Sequence, residues 1–194
     1  MGDFWFYIQM GLEHVLDLNA YDHILFLTAL AVPFTFANWK KVLVLATIFT
    51  IAHCLSLALS VYGILEVDVA LIEFLIPITI LFTAIHNLFH FNKPAEQRNI
   101  VLYGVATTFF GLIHGFGFSN YFKMLMAGEE EKISPLLGFA AGIEFSQILI
   151  LLAVLCANYI VNSFIGVKQP LFTRIMSIII LCITIPMLVT TFPW

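Results

Sequence analysis

Charged residues make up only 10% of this 194-residue chain, against about 25% in soluble domains. That scarcity, with 61% hydrophobic residues and a mean hydropathy of +1.02, excludes an ordinary water-soluble globule and fits a chain whose solvent is lipid. Positive charge is scarcer still. Eight Lys and Arg against twelve Asp and Glu leave a net charge of −4, so no basic face is available to a nucleic acid. The three cysteines, Cys54, Cys156 and Cys182, lie apart in apolar runs and form no CxxC. They read as buried inert thiols, not as a disulfide framework. The absence of GxxxxGK[ST] removes ATP hydrolysis by this chain. The opening MGDFWFYIQM lacks the basic region of a signal peptide and reads as mature sequence.

What is present is apolar length, with Phe alone supplying 20 residues. A helix needs ~20 apolar residues to cross the hydrocarbon layer. Six stretches approach that length: 20–36, 39–65, 69–91, 100–118, 136–164 and 171–192. Pro33, Pro77 and Pro186 fall inside them and predict kinks. Residues 3–17 are amphipathic and too short to span. They read as an interfacial or half-inserted helix, with Trp5 and Tyr7 as interface aromatics. The expected fold is therefore all-α, a polytopic membrane bundle of six transmembrane helices plus that N-terminal helix. No internal repeat or long linker divides it, so residues 1–194 read as a single transmembrane domain.

The loops carry an asymmetry. Lys40, Lys41, Lys93, Arg98, Lys168 and Arg174 fall on one side. Lys123 and Lys132 fall on the other, with Glu66, Asp68 and the run Glu129, Glu130, Glu131. The positive-inside rule puts the first side in the cytoplasm and both termini outside, in a bacterial-type inner (plasma) membrane. In the longest loop, 120–135, Tyr121, Phe122, Met124 and Leu125 are expected on the membrane surface.

The polar residues inside these stretches organise around Asp22 and His23, adjacent at the mouth of the first. At 1.5 Å per residue, His53 and His114 each lie ~21 Å up from the cytoplasmic side, and Glu144 lies ~12 Å in from outside. Glu73 is only ~6 Å deep. His14, Asp17 and Asn19 stand just before the pair, and Gln147 shares a helix face with Glu144. Ionisable groups cost about 2.5–3.5 kcal/mol at a helix centre, so their collection in one layer marks a function. Imidazole with carboxylate suits a divalent transition metal such as nickel, cobalt or zinc. His86 and His90, four apart at the inner end of the third stretch, read as interfacial histidines or as a cytoplasmic exit site. Gly111, Gly115 and Gly117 flank His114, and Gly138 and Gly142 precede Glu144. Such spacing permits close helix approach, which would bring His114 and Glu144 together.

The segments DHILFLTAL, FTIAHCLSLAL, IEFLIPITI, FFGLIHGFGFSN and GFAAGIEFSQ resemble the HupE/UreJ family of small membrane proteins. The resemblance extends from His14 to Gln147. It implies a secondary permease for nickel or cobalt, with His14, Asp22, His23, His53, His114 and Glu144 as the functional residues. Asp17, Glu73, His86, His90 and Gln147 are weaker candidates. Seven residues separate His14 from Asp22 where the family motif has five, and GFGFSN follows His114 without the family's Glu. The expected partners are the lipid bilayer, a divalent metal ion as substrate or bound ion, and an oligomer or membrane complex. Two alternatives stand beside transport. One is an intramembrane metal-dependent hydrolase acting on lipid or peptide, with Ser56, Ser119 or Ser146 assisting. The other is a non-catalytic subunit of an inner-membrane complex.

Overall fold

The computed structural model describes residues 2–128 and 131–193, with only the backbone of Gly2 and Asp3. Glu129 and Glu130 of the acidic run lie outside the described residues. Seven α-helices follow in order: α1 Gly2–Leu16, α2 Asp22–Ala31, α3 Trp39–Val61, α4 Val69–Phe89, α5 Ile100–Leu125, α6 Ile133–Ile160 and α7 Gln169–Thr190. No strand occurs among the described residues.

Local chemistry sets the helix ends. Asp68 accepts from Leu71 N–H (3.2 Å) at the start of α4, and Asn99 accepts from Val101 and Leu102 N–H at the start of α5. The Glu131 carboxylate takes the N–H groups of Ile133 and Ser134 at the start of α6. These acceptors satisfy donors that a helix N-terminus leaves unpaired. α3 ends at Gly63, whose φ of +67° a β-carbon would disfavour.

Among the described residues five helices, α3 to α7, are long and apolar enough to cross a membrane. The expected first span, 20–36, is instead the ten-residue α2. It measures ~15 Å, half of a ~30 Å hydrocarbon layer. Pro33 ends this helix instead of kinking it, since a proline ring clashes with the preceding turn. Pro77 and Pro186 do lie inside helices, α4 and α7.

Two further expectations change. α5 continues through Leu125 instead of stopping at 118, so Tyr121, Phe122, Met124 and Leu125 are helical and Phe122 is fully buried. α1, expected as an interfacial or half-inserted helix, packs along α6, so Tyr7 is not an interface aromatic. Tyr7, Gly11 and Val15 are buried, whereas Trp5 is exposed. Nor are the cysteines all buried. Cys54 and Cys156 are partly covered and Cys182 is exposed on α7; all three are free thiols.

The packing follows glycine contacts. α3 and α5 run parallel: a β-carbon on Gly111 would stand 2.8 Å from the Phe49 carbonyl, and one on Gly115 would strike His53 O and Ser56 Oγ. α1 runs parallel to α6. A β-carbon on Gly138 would lie 2.8 Å from the Phe4 carbonyl, one on Gly142 would strike Ile8 O, and Ser146 Oγ reaches Leu12 O at 3.2 Å. α4 lies antiparallel to α5, with Ile76 beside Gly117, Phe82 beside Phe110 and His86 beside Tyr103.

α2 continues downward where α1 stops. Its start meets His53 and His114, Phe26 meets Phe49 and Phe110, and Phe34 beyond its end meets Tyr103. Three longer helices take the carbonyls at and beyond that end. Asn87 Nδ2 donates to Ala29 O (2.7 Å), Asn158 Nδ2 to Phe34 O (2.9 Å) and Gln169 Nε2 to Val32 O (2.8 Å). A break in a helix within apolar surroundings is tolerated when side chains re-satisfy the freed backbone groups in this way.

The start of α3 with Lys41, the loop with Lys93 and Arg98 and the start of α7 with Gln169 gather at one end of the bundle. Lys41 Nζ donates to Ala95 O (3.4 Å), and Arg174 lies 5.5 Å from the Phe91 ring. At the opposite end Lys123 pairs with Glu66 (3.0 Å), and Lys132 reaches Val61 O.

Candidate metal centre

Four imidazoles from four helices meet where α1 gives way to α2. His14 comes from the last turn of α1, His23 from the first turn of α2, His53 from α3 and His114 from α5. The His23 ring centroid lies 4.6 Å from that of His14, 5.6 Å from His53 and 5.1 Å from His114. His14 and His53 are 5.7 Å apart. His23, His53 and His114 are buried, and His14 and Asp22 are partly so.

The potential ligand atoms fall into two overlapping sets of three. Those of His14, His23 and His53 lie within 4.8 Å of one another, as do those of Asp22, His23 and His114. An ion with bonds of ~2.1 Å gathers such donors after ring movements of about an ångström.

Hydrogen bonding decides what these atoms can do. Asp22 Oδ1 accepts from the His23 backbone N–H (2.8 Å) and from Nδ1–H of its ring (3.1 Å). That leaves His23 Nε2 with a lone pair and no partner. Both ring nitrogens of His53, Nε2 of His14 and Nδ1 of His114 are likewise buried without a hydrogen-bond partner among the described residues. Buried polar atoms are nearly always paired. Each of the four rings can therefore turn one lone pair to a cation, His53 offering only one of its two nitrogens because a neutral ring keeps a proton on the other.

Aromatic rings wall the cluster. Phe118 lies 4.0 Å from His14 by centroids, Phe49 lies 5.3–6.0 Å from His23, His53 and His114, and Phe26 lies 5.4 Å from His114. Beside His14 a cleft of about 640 Å³ opens, lined by Glu13, Asp17, Leu18, Phe118 and Tyr121.

The other residues singled out from sequence lie elsewhere. Glu144 faces α3, where Thr47 and Thr50 each donate a hydroxyl to its carboxylate at 2.6 Å. It belongs to neither set of three. Gly111 and Gly115 face α3, and Gly138 and Gly142 face α1, so these glycines do not bring His114 to Glu144. Asp17 is exposed on the cleft and accepts from Asn19. Glu73 is exposed on α4. Gln147 is buried in α6, with no partner for either amide atom among the described residues.

His86 and His90 stack at 4.4 Å at the basic end. His90 Nδ1 donates to His86 O (2.9 Å), and Tyr103 Oη stands 3.5 Å from His86 Nδ1. Sequence reasoning missed Thr79, whose hydroxyl touches His114 Nε2 at 3.2 Å. A threonine in an apolar helix reads as packing, and no local pattern separates Thr79 from Thr83.

An all-helical membrane protein with a buried histidine cluster at a helix break is the class defined by this fold. A family model described as HupE / UreJ protein matches residues 1–191. The chain belongs to the HupE/UreJ family, which is linked with nickel and cobalt transport. No curated protein and no solved structure matches it.

Proposed function

We propose that this chain is a secondary permease for a divalent transition metal, nickel or cobalt first. His14, His23, His53 and His114 supply the imidazole donors, and Asp22 orients His23. The observation that carries this reading is the set of buried ring nitrogens without partners, contributed by four separate helices. Neutral imidazole is a good ligand for nickel, cobalt and zinc. A carboxylate on the far nitrogen raises the basicity of the ring and fixes its direction.

α1 and α2 together form one broken crossing, which completes six crossings with α3 to α7. Both descend the bundle in the same direction, and the break holds the site. The basic end faces the cytoplasm by the positive-inside rule, and both termini face outside. The whole chain, 1–194, acts as one transmembrane unit. The metal enters from the cleft beside His14, where Glu13 and Asp17 attract a cation. It sheds water among the imidazoles and leaves toward the basic end.

Hydrolysis has less support. The hydroxyls of Ser56, Ser119 and Ser146 each donate to a backbone carbonyl, and Glu144 is held by Thr47 and Thr50, away from the imidazoles. Transport is tested by nickel or cobalt accumulation in cells that express wild type, His23→Ala or His53→Ala at equal levels. Each substitution removes a donor, so affinity falls on the order of 100-fold, at or above the 10–100-fold cost of outer-shell losses. Wild-type accumulation in both variants overturns the reading.

A further inference from the structure

We propose that Thr79 of α4 is a positioning residue that fixes the ring tautomer of His114 and so makes Nδ1 its metal-binding atom. This rests on the metal reading above.

Thr79 is buried and carries a single hydroxyl proton. Its Oγ1 lies 2.7 Å from Ile76 O, one turn back on α4, and 3.2 Å from His114 Nε2. The shorter contact is to an atom that can only accept, so the threonine proton goes to Ile76 O. His114 Nε2 must then be the donor to Thr79 Oγ1, and Nδ1 keeps its lone pair. The opposite assignment would set two oxygen lone pairs against each other at 2.7 Å. It would also bury an Nδ1–H with no acceptor among the described residues. Nδ1 is the His114 nitrogen that has no partner.

His23 shows the same division of labour with the nitrogens exchanged. Asp22 takes Nδ1–H and leaves Nε2 bare. Ligating histidines characteristically have the second ring nitrogen tied to an acceptor that fixes tautomer and direction. Thr79 supplies that acceptor for His114, and the back-bond to Ile76 makes its hydroxyl an acceptor only. Close packing keeps it there: a β-carbon on Gly117 would stand 2.8 Å from Ile76 Cδ1, so α4 approaches α5 one turn away from the contact.

The test uses full-length protein in lipid nanodiscs with ¹⁵N-labelled histidine. Ring-nitrogen shifts are read without metal, and Co²⁺ affinity is read by competition with a chelator. Wild-type His114 is expected with a proton on Nε2 and none on Nδ1. Thr79→Val keeps the shape and removes the acceptor. It should shift His114 toward the Nδ1–H form and weaken Co²⁺ binding by about 10–100-fold. Thr79→Ser should retain both wild-type properties, a rescue that loss of packing alone would not give. A wild-type His114 protonated on Nδ1 overturns the proposal before any variant is made. So does Thr79→Val with unchanged tautomer and Co²⁺ affinity. If wild-type protein has the expected tautomer and binds no Co²⁺, the metal reading itself fails, and Thr79's role in binding goes with it.

Discussion

Two groups of histidines sit in this molecule, and the same side chain serves opposite ends in them. At the basic end, His86 in the last turn of α4 and His90 just past its end stack four residues apart. His90 is exposed, and His86 is partly covered. Their ring nitrogens are engaged by a carbonyl and a tyrosine hydroxyl, with Arg98 donating to that same tyrosine (2.7 Å). Nearby cations repel a metal ion, and both rings are open to their surroundings instead of buried against other imidazoles. At the helix break, four rings converge from different helices, and each keeps at least one buried nitrogen without a hydrogen-bond partner among the described residues. Close spacing along the chain thus marks the weaker candidate for a metal site. What distinguishes the stronger one is burial without partners, which only tertiary structure creates.

The sharpest test of that contrast after the histidines themselves is Asp22→Asn. The amide keeps the size of the carboxylate but loses its charge, and with it the strong acceptor for His23 Nδ1–H. Metal affinity should fall about 10–100-fold, as for other outer-shell losses. Chelator competition on purified protein measures it. Wild-type affinity in Asp22→Asn would mean that Asp22 has no hold on His23. Acid should produce a related loss, because protons compete with the ion for imidazole and carboxylate. Binding should weaken as pH falls, and the dependence should disappear from any variant that has already lost the site.

Much of this arrangement is legible in the chain itself. The apolar lengths of α3 to α7 follow from composition, and the gathering of Lys41, Lys93, Arg98 and Arg174 at one end follows from the order of the loops. The early end of α2 does not. Hydropathy sees 20–36 as a short span, because Ala31, Val32, Pro33 and Phe34 continue the apolar run past the helix end. Only the distant donors Asn87, Asn158 and Gln169 reveal that the backbone has left the helix. Glu144 shows the converse limit. Depth alone put it with the histidines, but rotation about the helix axis turns it toward Thr47 and Thr50. One-dimensional depth carries no azimuth.

A smaller effect is expected where the cluster depends on helix approach. Gly142 lets α1 lie against α6, and a methyl group there would strike Ile8 O. Overpacking of this kind costs about 1–3 kcal/mol. Gly142→Ala should push α1 outward, lower thermal stability and weaken metal binding on the order of tenfold, or ~1.4 kcal/mol, by withdrawing His14. Gly104→Ala is the control. Its β-carbon would meet only Ile48 Cδ1 at 3.6 Å, ordinary contact, so stability and binding should hold. Equal behaviour of the two variants would separate α1 docking from the site.

The smallest effect belongs to the basic end. His86→Ala removes a ring that is half-open to its surroundings and bonded only through Tyr103, which keeps Arg98 as a partner. Arg98 in turn keeps its bonds to the carbonyls of His90 and Lys93, so the end of α4 stays tied. No buried charge is stranded, and substitutions of this kind typically stay within ~0.5 kcal/mol. Metal affinity should remain within about twofold of wild type, less than the factor of ten that ~1.4 kcal/mol represents. Initial uptake rates and equilibrium binding should be measured together. A drop in rate with unchanged affinity would make His86 part of the exit path. A drop in affinity comparable to His53→Ala would erase the distinction between the two histidine groups. That result would mean that unpaired burial is a poor guide to where this chain holds its metal.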